Sequence, residues 1–281
     1  MQSIKTIYKI GPGPSSSHTF GPMMASKYIN EHYPDATHFK ITLFGSLALT
    51  GKGHLTDKII LKTLGASKCE IIFDMKTAVE HPNTMIIDVF DNDTKVAQHT
   101  FVSIGGGKIE IDGKKGNVDP EIYPHTKMDD IQVYCNERHL RLDQYIDEVE
   151  DSDFDSYMNQ IFKQMLKTVN TGLKKTGVLP GSLKIDRVAH ALHQSAQSCS
   201  DIQDKNSLLL SSYAYAANEQ NASGGIVVTA PTMGSCGVLP SLVYHFYHDQ
   251  KYPKKTLIQG LKVAGLIGNL IQTNATISGA K

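Results

Sequence analysis

Phe39-Lys-Ile-Thr-Leu-Phe-Gly-Ser-Leu-Ala-Leu-Thr-Gly-Lys-Gly-His54-Leu-Thr-Asp57 is the stretch on which the fold class turns. Phe39, Ile41 and Leu43 alternate with Lys40 and Thr42, the period-2 pattern of a strand with one buried face. Gly45 to His54 reads as a loop. Thr56 or Asp57 then caps a short helix through Ile59, Ile60 and Leu64, closed by Gly65. Upstream, Gly11 to Thr19 is a Gly/Pro/Ser loop, and Gly21-Pro22 opens a helix through Met24, Tyr28 and Ile29. Downstream, Ile71-Ile-Phe73 is a short apolar run. Met85 to Phe90 and Val96 to Ile104 flank Asp91-Asn-Asp93 as a predicted hairpin, and Gly105-Gly-Gly107 allows a bend into Lys108 to Ile111. Strands and helices interleave here, so the first part is predicted to be mixed α/β.

The pattern changes after about residue 135. Phe154, Tyr157, Met158, Ile161, Phe162, Met165, Leu166, Val169 and Leu173 recur at helical spacing, and Asn206 to Asn218 and Leu257 to Ile271 read as further helices. Two domains are therefore expected, in line with a length of 281 residues: an α+β domain over 1–140 and a mainly α-helical domain over 150–281. The boundary is expected between 136 and 152, with the acidic run Glu148 to Asp155 as a solvated linker. Lys plus Arg and Asp plus Glu number 28 each, a balance that argues against nucleic acid or an anionic membrane as partner. No apolar stretch reaches the ~18 residues of a membrane span. The opening Met1-Gln-Ser-Ile-Lys5 has no secretory apolar core. The four cysteines, Cys69, Cys135, Cys199 and Cys236, form no CxxC pair, which fits reduced thiols in the cytoplasm.

Three constellations stand out. In Gly11-Pro-Gly-Pro-Ser-Ser-Ser-His-Thr19, the hydroxyls of Ser15, Ser16 and Ser17 and a helix entrance suit a carboxylate or phosphate, and His18 can move protons near neutral pH. The plainer reading is a capped turn whose serines bond their own backbone. In Gly45-Ser-Leu-Ala-Leu-Thr-Gly-Lys-Gly-His-Leu-Thr-Asp57, His54 lies in a loop after a strand, and Asp57 is near enough to orient it; a solvated turn is the plainer reading. In Asn221-Ala-Ser-Gly-Gly-Ile-Val-Val-Thr-Ala-Pro-Thr-Met-Gly-Ser-Cys-Gly237, small residues open the backbone to a ligand, with Asn221 and Ser223 as polar handles. The plainer reading is a helix end, a buried strand and a Pro turn. His190 with His193, and His245 with His248, read as solvated pairs rather than metal ligands.

In order, these blocks closely resemble the bacterial iron-sulfur L-serine dehydratases (L-serine ammonia-lyases). The GPSSSHTxGP opening corresponds to Gly13 to Pro22, YGSLxxTGxGHxTD to Phe44 to Asp57, SIGGG to Ser103 to Gly107, GVLPG to Gly177 to Gly181, and NASGGxVVTAPT to Asn221 to Thr232. The resemblance implies a domain similar to a serine-binding regulatory domain, joined to an all-α domain that carries a [4Fe-4S] cluster. It implies conversion of L-serine to pyruvate and ammonia by Lewis-acid-assisted β-elimination. His54 and His18 are its implied active-site residues. Ser15, Ser16, Ser17, Thr19, Asp57, Asn221, Ser223 and Gly224 are expected to bind substrate.

The family's SISGAEVGCQGE block is matched only through Asn274 to Ala280, so the cluster cysteines are expected beyond Lys281 and no metal ligand is assigned within the chain. The helical domain is accordingly expected to be incomplete, and the chain alone to hold no cluster and to be inactive. Its last helix, apolar on more than one face, is expected to be partly uncovered, favouring a homo-oligomer or a complementing C-terminal chain. A non-catalytic amino-acid-binding or regulatory module is the alternative function, and a phosphate-binding enzyme a third.

Overall fold

The computed structural model describes residues 1–116, 119–181 and 183–275; the matched run from Thr276 to Ala280 therefore lies outside the described residues. The chain runs through β1 (Ile10–Pro12), α1 (Gly21–His32), β2 (His38–Phe44), α2 (Gly45–Thr50), α3 (Thr56–Leu64), β3 (Cys69–Asp74), β4 (Thr84–Asp91), β5 (Thr94–Gly105), β6 (Lys108–Ile111) and β7 (Lys114–Lys115). Helices then take over: α4 (Met128–Arg138), α5 (Leu142–Val149), α6 (Phe154–Gly172), α7 (Ala189–Ser198) and α8 (Ile202–Ala222). The short strand β8 (Ile226–Val228) follows, then α9 (Val238–His248) and α10 (Lys254–Asn274). The residues divide into two compact units. One contains Pro12–Val118 with Ser223–Gly225; the other contains Met1–Gly11, Asp119–Ala222 and Ile226–Lys281.

The first unit is built on one six-stranded sheet in the order β3-β2-β4-β5-β6-β7. β2 and β3 run parallel, and the remaining neighbours are antiparallel. A parallel pair needs a crossover, which α2 and α3 supply. The alternation in β2 works as the sequence predicts: Phe39, Ile41 and Leu43 are buried with Met85, Ile87 and Val89 of β4, and with Ala25 and Ile29 of α1 and Ile59, Ile60 and Leu64 of α3. The hairpin of β4 and β5 turns at Asp91 to Thr94, with Asn92 at φ 52°. Register decides the functional end of this sheet. Leu43 pairs with Phe73 on one side and Met85 on the other, and Met85 pairs with Phe101. The segment after β2, the one before β4 and the one after β5 therefore emerge at the same edge. The predicted loop from Gly45 to His54 is in part helical, since Gly45 to Thr50 forms α2.

The second unit buries Phe154, Met158, Ile161, Phe162, Met165 and Val169 along one stripe of α6, as their spacing predicts. Its other main feature is absent from local sequence signals. The first eleven residues thread into the helical unit. Ile4 and Tyr8 are fully buried and Ile7 nearly so, each contributing roughly 1.5–3 kcal/mol. Tyr8 donates its hydroxyl to Leu261 O at 2.9 Å and accepts at its carbonyl from the Tyr157 hydroxyl. Asn269 Nδ2 donates to Gln2 O at 2.6 Å. The N-terminal segment thus covers one face of α10. Another face stays open, with Ile271 at 61% exposure.

The acidic run is largely solvent-exposed, as expected, but it also clasps distant residues, chiefly through the half-buried Glu150. Glu150 accepts from Ser3 Oγ, Ile4 N and Tyr123 OH at 2.6, 2.8 and 2.9 Å. Asp151 pairs with Lys5, and Asp155 with the buried Lys262. These partners lie more than a hundred residues away, apart from Tyr123, so no local pattern announces them. The described helices include none long and apolar enough to cross a membrane.

α6 crosses α8 backbone to backbone at Gly172. A Cβ there would sit 2.2 Å from Ala216 O and 2.6 Å from its carbonyl carbon. Gly172→Ala should therefore destabilise the protein by about 1–3 kcal/mol. Gly260→Ala, on α10 with nothing within 4 Å of its Cβ position, should gain roughly 0.5–1 kcal/mol. Thermal unfolding of both variants checks this, and a Gly172→Ala Tm at or above that of the parent contradicts the crossing.

Candidate active site

The site grows from two loops of the sheet unit. In the first, Ser16–Phe20 forms a π-helical turn whose entry is capped by Ser15, with Ser15 Oγ accepting from His18 N at 3.1 Å. In the second, α2 and a following turn carry the chain to His54. Thr19 Oγ1 donates to His54 O at 2.7 Å, and Thr56 Oγ1 donates to His18 O at 2.5 Å. Both threonines are almost wholly buried, so this crossed pair is shielded from competing water. It brings the His18 and His54 rings to 4.7 Å between centroids, tilted by 36°.

Each ring has a defined environment. His54 Nδ1 lies 3.0 Å from Thr50 O. A carbonyl can only accept, so Nδ1 carries the hydrogen, and the neutral ring keeps its lone pair on Nε2. His18 Nδ1 lies 2.9 Å from Ser17 Oγ and 3.5 Å from Ser15 Oγ, while Nε2 lies 2.8 Å from Ser46 Oγ. Burial, and then repulsion from His54, hold the His18 imidazole below its ordinary value.

The expected substrate residues are distributed as follows. Ser15, Ser16 and Ser17 lie half-buried around His18. Thr19 is buried, and its hydroxyl is engaged by His54 O and by Ser15 N. Asp57 lies in the first turn of α3 with Oδ1 buried and without a hydrogen bond. Thr50 O, not Asp57, is the hydrogen-bond partner that orients His54. Ser223 and Gly224 belong to the sheet unit. Gly225 O accepts from Gly13 N at 2.9 Å, and a Cβ on Gly224 would meet Leu55 Cδ1 at 3.0 Å. Asn221 belongs to the helical unit, buried at the end of α8.

Sequence reasoning did not single out Ser46, His81 or Asn83. Gly45 turns the chain at φ +50°, and Pro82 O approaches so closely that a Cβ there would sit 2.7 Å from it. Pro82 O accepts from Ser46 N at 2.7 Å. His81 and Asn83 are thereby carried to the same edge as Ser46, and Asn83 Oδ1 is buried without a hydrogen bond. Asn83 O accepts from Ser103 N at 3.0 Å, which ties the segment after β5 to this edge. Only the strand register reveals this neighbourhood; a signal in the sequence would have been the short His-Pro-Asn segment preceding a strand.

Outside the sheet edge, His245 is buried rather than solvated. Its Nδ1 lies 2.8 Å from Asp249 Oδ2, which also accepts from Tyr213 OH at 3.0 Å. Among the described residues no three His, Cys, Asp or Glu side chains converge as for a metal ion. The four cysteines, Cys69, Cys135, Cys199 and Cys236, are free and belong to no such group among the described residues, whereas a cluster needs its thiolates gathered around one centre.

A profile of the serine dehydratase alpha chain matches residues 65–281, and one of the serine dehydratase beta chain matches residues 3–72. The chain belongs to the serine dehydratase family. Among similar proteins, L-serine dehydratase 2 of Escherichia coli K12 is 32% identical over an alignment of 340 positions that takes in 100% of this chain and 74% of the relative. The alignment is longer than the chain, so the relative carries stretches inside it that this chain lacks. The L-serine dehydratase of Haemophilus influenzae is 30% identical over 100% of this chain and 74% of its own length. That of Helicobacter pylori 26695 is 31% identical over 99% and 73%. Members of the family with these names are lyases, and the matches give no support to a binding-only or regulatory module.

The coupling of the two rings is measurable. In an NMR titration His18 should have a midpoint below its ordinary 6.5. In His54→Ala the midpoint should rise while staying below 6.5, because the repulsion goes and the burial stays. His18 binds its proton less readily folded than unfolded. Its contribution to stability is thus full above the unfolded value and lost as pH falls through the folded one. An unchanged midpoint in His54→Ala contradicts the coupling.

Proposed function

We propose that this chain performs the proton transfers of L-serine dehydration, in which L-serine becomes pyruvate and ammonia. The difficulty is twofold: the Cα–H is a weak acid and hydroxide is a poor leaving group. His54 addresses both. Its Nε2 lone pair, left free because Thr50 O takes the Nδ1 hydrogen, removes the α-proton, and the same ring hands that proton to the departing hydroxyl, which leaves as water. The resulting 2-aminoacrylate tautomerises to an imine, and water hydrolyses it to pyruvate and ammonia. His18, neutral in its depressed range, stands beside the reacting carbon and positions substrate. Ser15, Ser16 and Ser17 take the carboxylate, and Thr19 contributes by fixing the His54 backbone. Asp57, Ser223 and Gly224 complete the substrate's surroundings in this reading, Gly224 by leaving room against Leu55 and Gly13.

The orientation of His54 is the observation that carries this reading. In the cluster-loaded enzyme His54→Ala should lower kcat by about 10²–10⁴ with an unchanged circular dichroism spectrum; near-full kcat would overturn the assignment. The [4Fe-4S] cluster implied by the family resemblance would be held by thiolates other than the four described, and no step above runs through it. With iron and sulfide under anaerobic conditions, this chain alone should stay colourless and release no pyruvate. A brown product with about four irons per chain and serine-dependent pyruvate would refute that.

We further propose a cytoplasmic enzyme that associates with itself or with a complementing chain through the open face of α10. The support is the exposure of Ile271 and of Ile267 one turn earlier. Light scattering should show a species larger than one chain, reduced by Ile271→Glu, whereas a clean monomer rejects association.

A further inference from the structure

Ser46 occupies the first turn after a sharp strand-to-helix corner. β2 ends extended at Phe44, Gly45 turns the chain at φ +50°, and α2 begins. The Ser46 side chain is half-buried, so small reagents reach it. Its Oγ lies 2.8 Å from His18 Nε2, and the other ring nitrogen lies 2.9 Å from Ser17 Oγ. We propose that Ser46, His18 and Ser17 form a Ser–His–Ser relay in which Ser46 is an activated nucleophile, a site for covalent modification by activated acyl or sulfonyl groups.

The hydroxyls around the ring satisfy either tautomer, because Ser17 Oγ and Ser15 Oγ at Nδ1 and Ser46 Oγ at Nε2 can each donate or accept; the relay uses the Nδ1–H form, in which the ring donates toward Ser17. Nε2 then presents its lone pair to Ser46, and the imidazole is the better acceptor for the Ser46 hydrogen. This is the arrangement that activates a serine: nucleophile and base within hydrogen-bond reach, and the base oriented by a third group. Ser17 is neutral, so it orients the ring without stabilising an imidazolium as a carboxylate would. The depressed proton affinity of His18 keeps it a base at neutral pH. With phenylmethylsulfonyl fluoride, Ser46 Oγ attacks sulfur, the S–F bond breaks and fluoride leaves. The hydroxyl proton passes to His18 Nε2, giving a stable sulfonyl ester.

The site needs no cluster and no amino-acid substrate, so labelling tests it apart from the dehydratase reading. The full chain is treated with phenylmethylsulfonyl fluoride, digested and mapped by mass spectrometry. Wild type should carry one adduct, on Ser46, and Ser46→Ala none at that peptide. His18→Gln should label about a hundredfold more slowly, with its fold checked by circular dichroism. Should that variant misfold, the wild-type rate still reports the base. It should fall with decreasing pH through the His18 midpoint read by NMR, and shift with that midpoint in His54→Ala. An unlabelled Ser46, an adduct spread evenly over Ser15, Ser16, Ser17 and Ser46, or a rate indifferent to pH overturns the proposal.

Discussion

Two crossed hydrogen bonds hold together the edge of the sheet unit that carries His18 and His54. Thr19 gives its hydroxyl hydrogen to the carbonyl of His54, and Thr56 gives its own to the carbonyl of His18. Each loop thereby fixes the backbone of the other loop's histidine. Both threonines are buried, and a buried carbonyl left without its donor costs about 1–3 kcal/mol. The two loops are consequently bound to move as one body. The close approach of the two rings follows, and with it the mutual repulsion that weakens proton binding at His18.

The two chemically identical side chains have different surroundings. His54 is oriented by a backbone carbonyl, which settles where its hydrogen sits and leaves Nε2 open. His18 is held at both nitrogens by serine hydroxyls, groups that both donate and accept and so permit either tautomer. A ring with one committed nitrogen suits abstraction of a substrate proton. A ring between hydroxyls suits relay and orientation. Electrostatics and hydrogen-bond inventory therefore differentiate the pair without any carboxylate contact, although Asp57 is only three residues from His54 in sequence.

The helical unit works on another principle. Its core is stitched by the first eleven residues, through Tyr8 against Leu261, Gln2 against Asn269, and the acidic run against Ser3, Ile4 and Lys5. The buried Lys262 ammonium is tolerable there because Asp147 and Asp155 pair with it, and the half-buried Glu150 accepts three hydrogen bonds. Close backbone contact of α6 with α8 at Gly172 leaves no space for a side chain.

Sequence by itself determined the elements whose signal is periodic: β2 through Phe39, Ile41 and Leu43, the hairpin of β4 and β5, and the stripe of α6. His18 and His54 were marked by the ordered family blocks and not by their own surroundings, since a capped turn and a solvated turn account equally for those two loops taken alone. Tertiary structure alone decided which residues share the edge. His81, Asn83 and Ser46 meet because Leu43, Met85 and Phe101 fall into register, and register is a property of paired strands rather than of any one segment. The same holds for Thr50 as the partner of His54. A backbone carbonyl carries no residue-specific mark, and only the helical turn of α2 and the bend after it bring that oxygen to the ring. The acidic run shows the same limit from the other side. Glu150 looks solvated until Ser3 and Ile4, more than a hundred positions away, fold against it, because charge in a sequence says what a side chain needs and not where its partner will be.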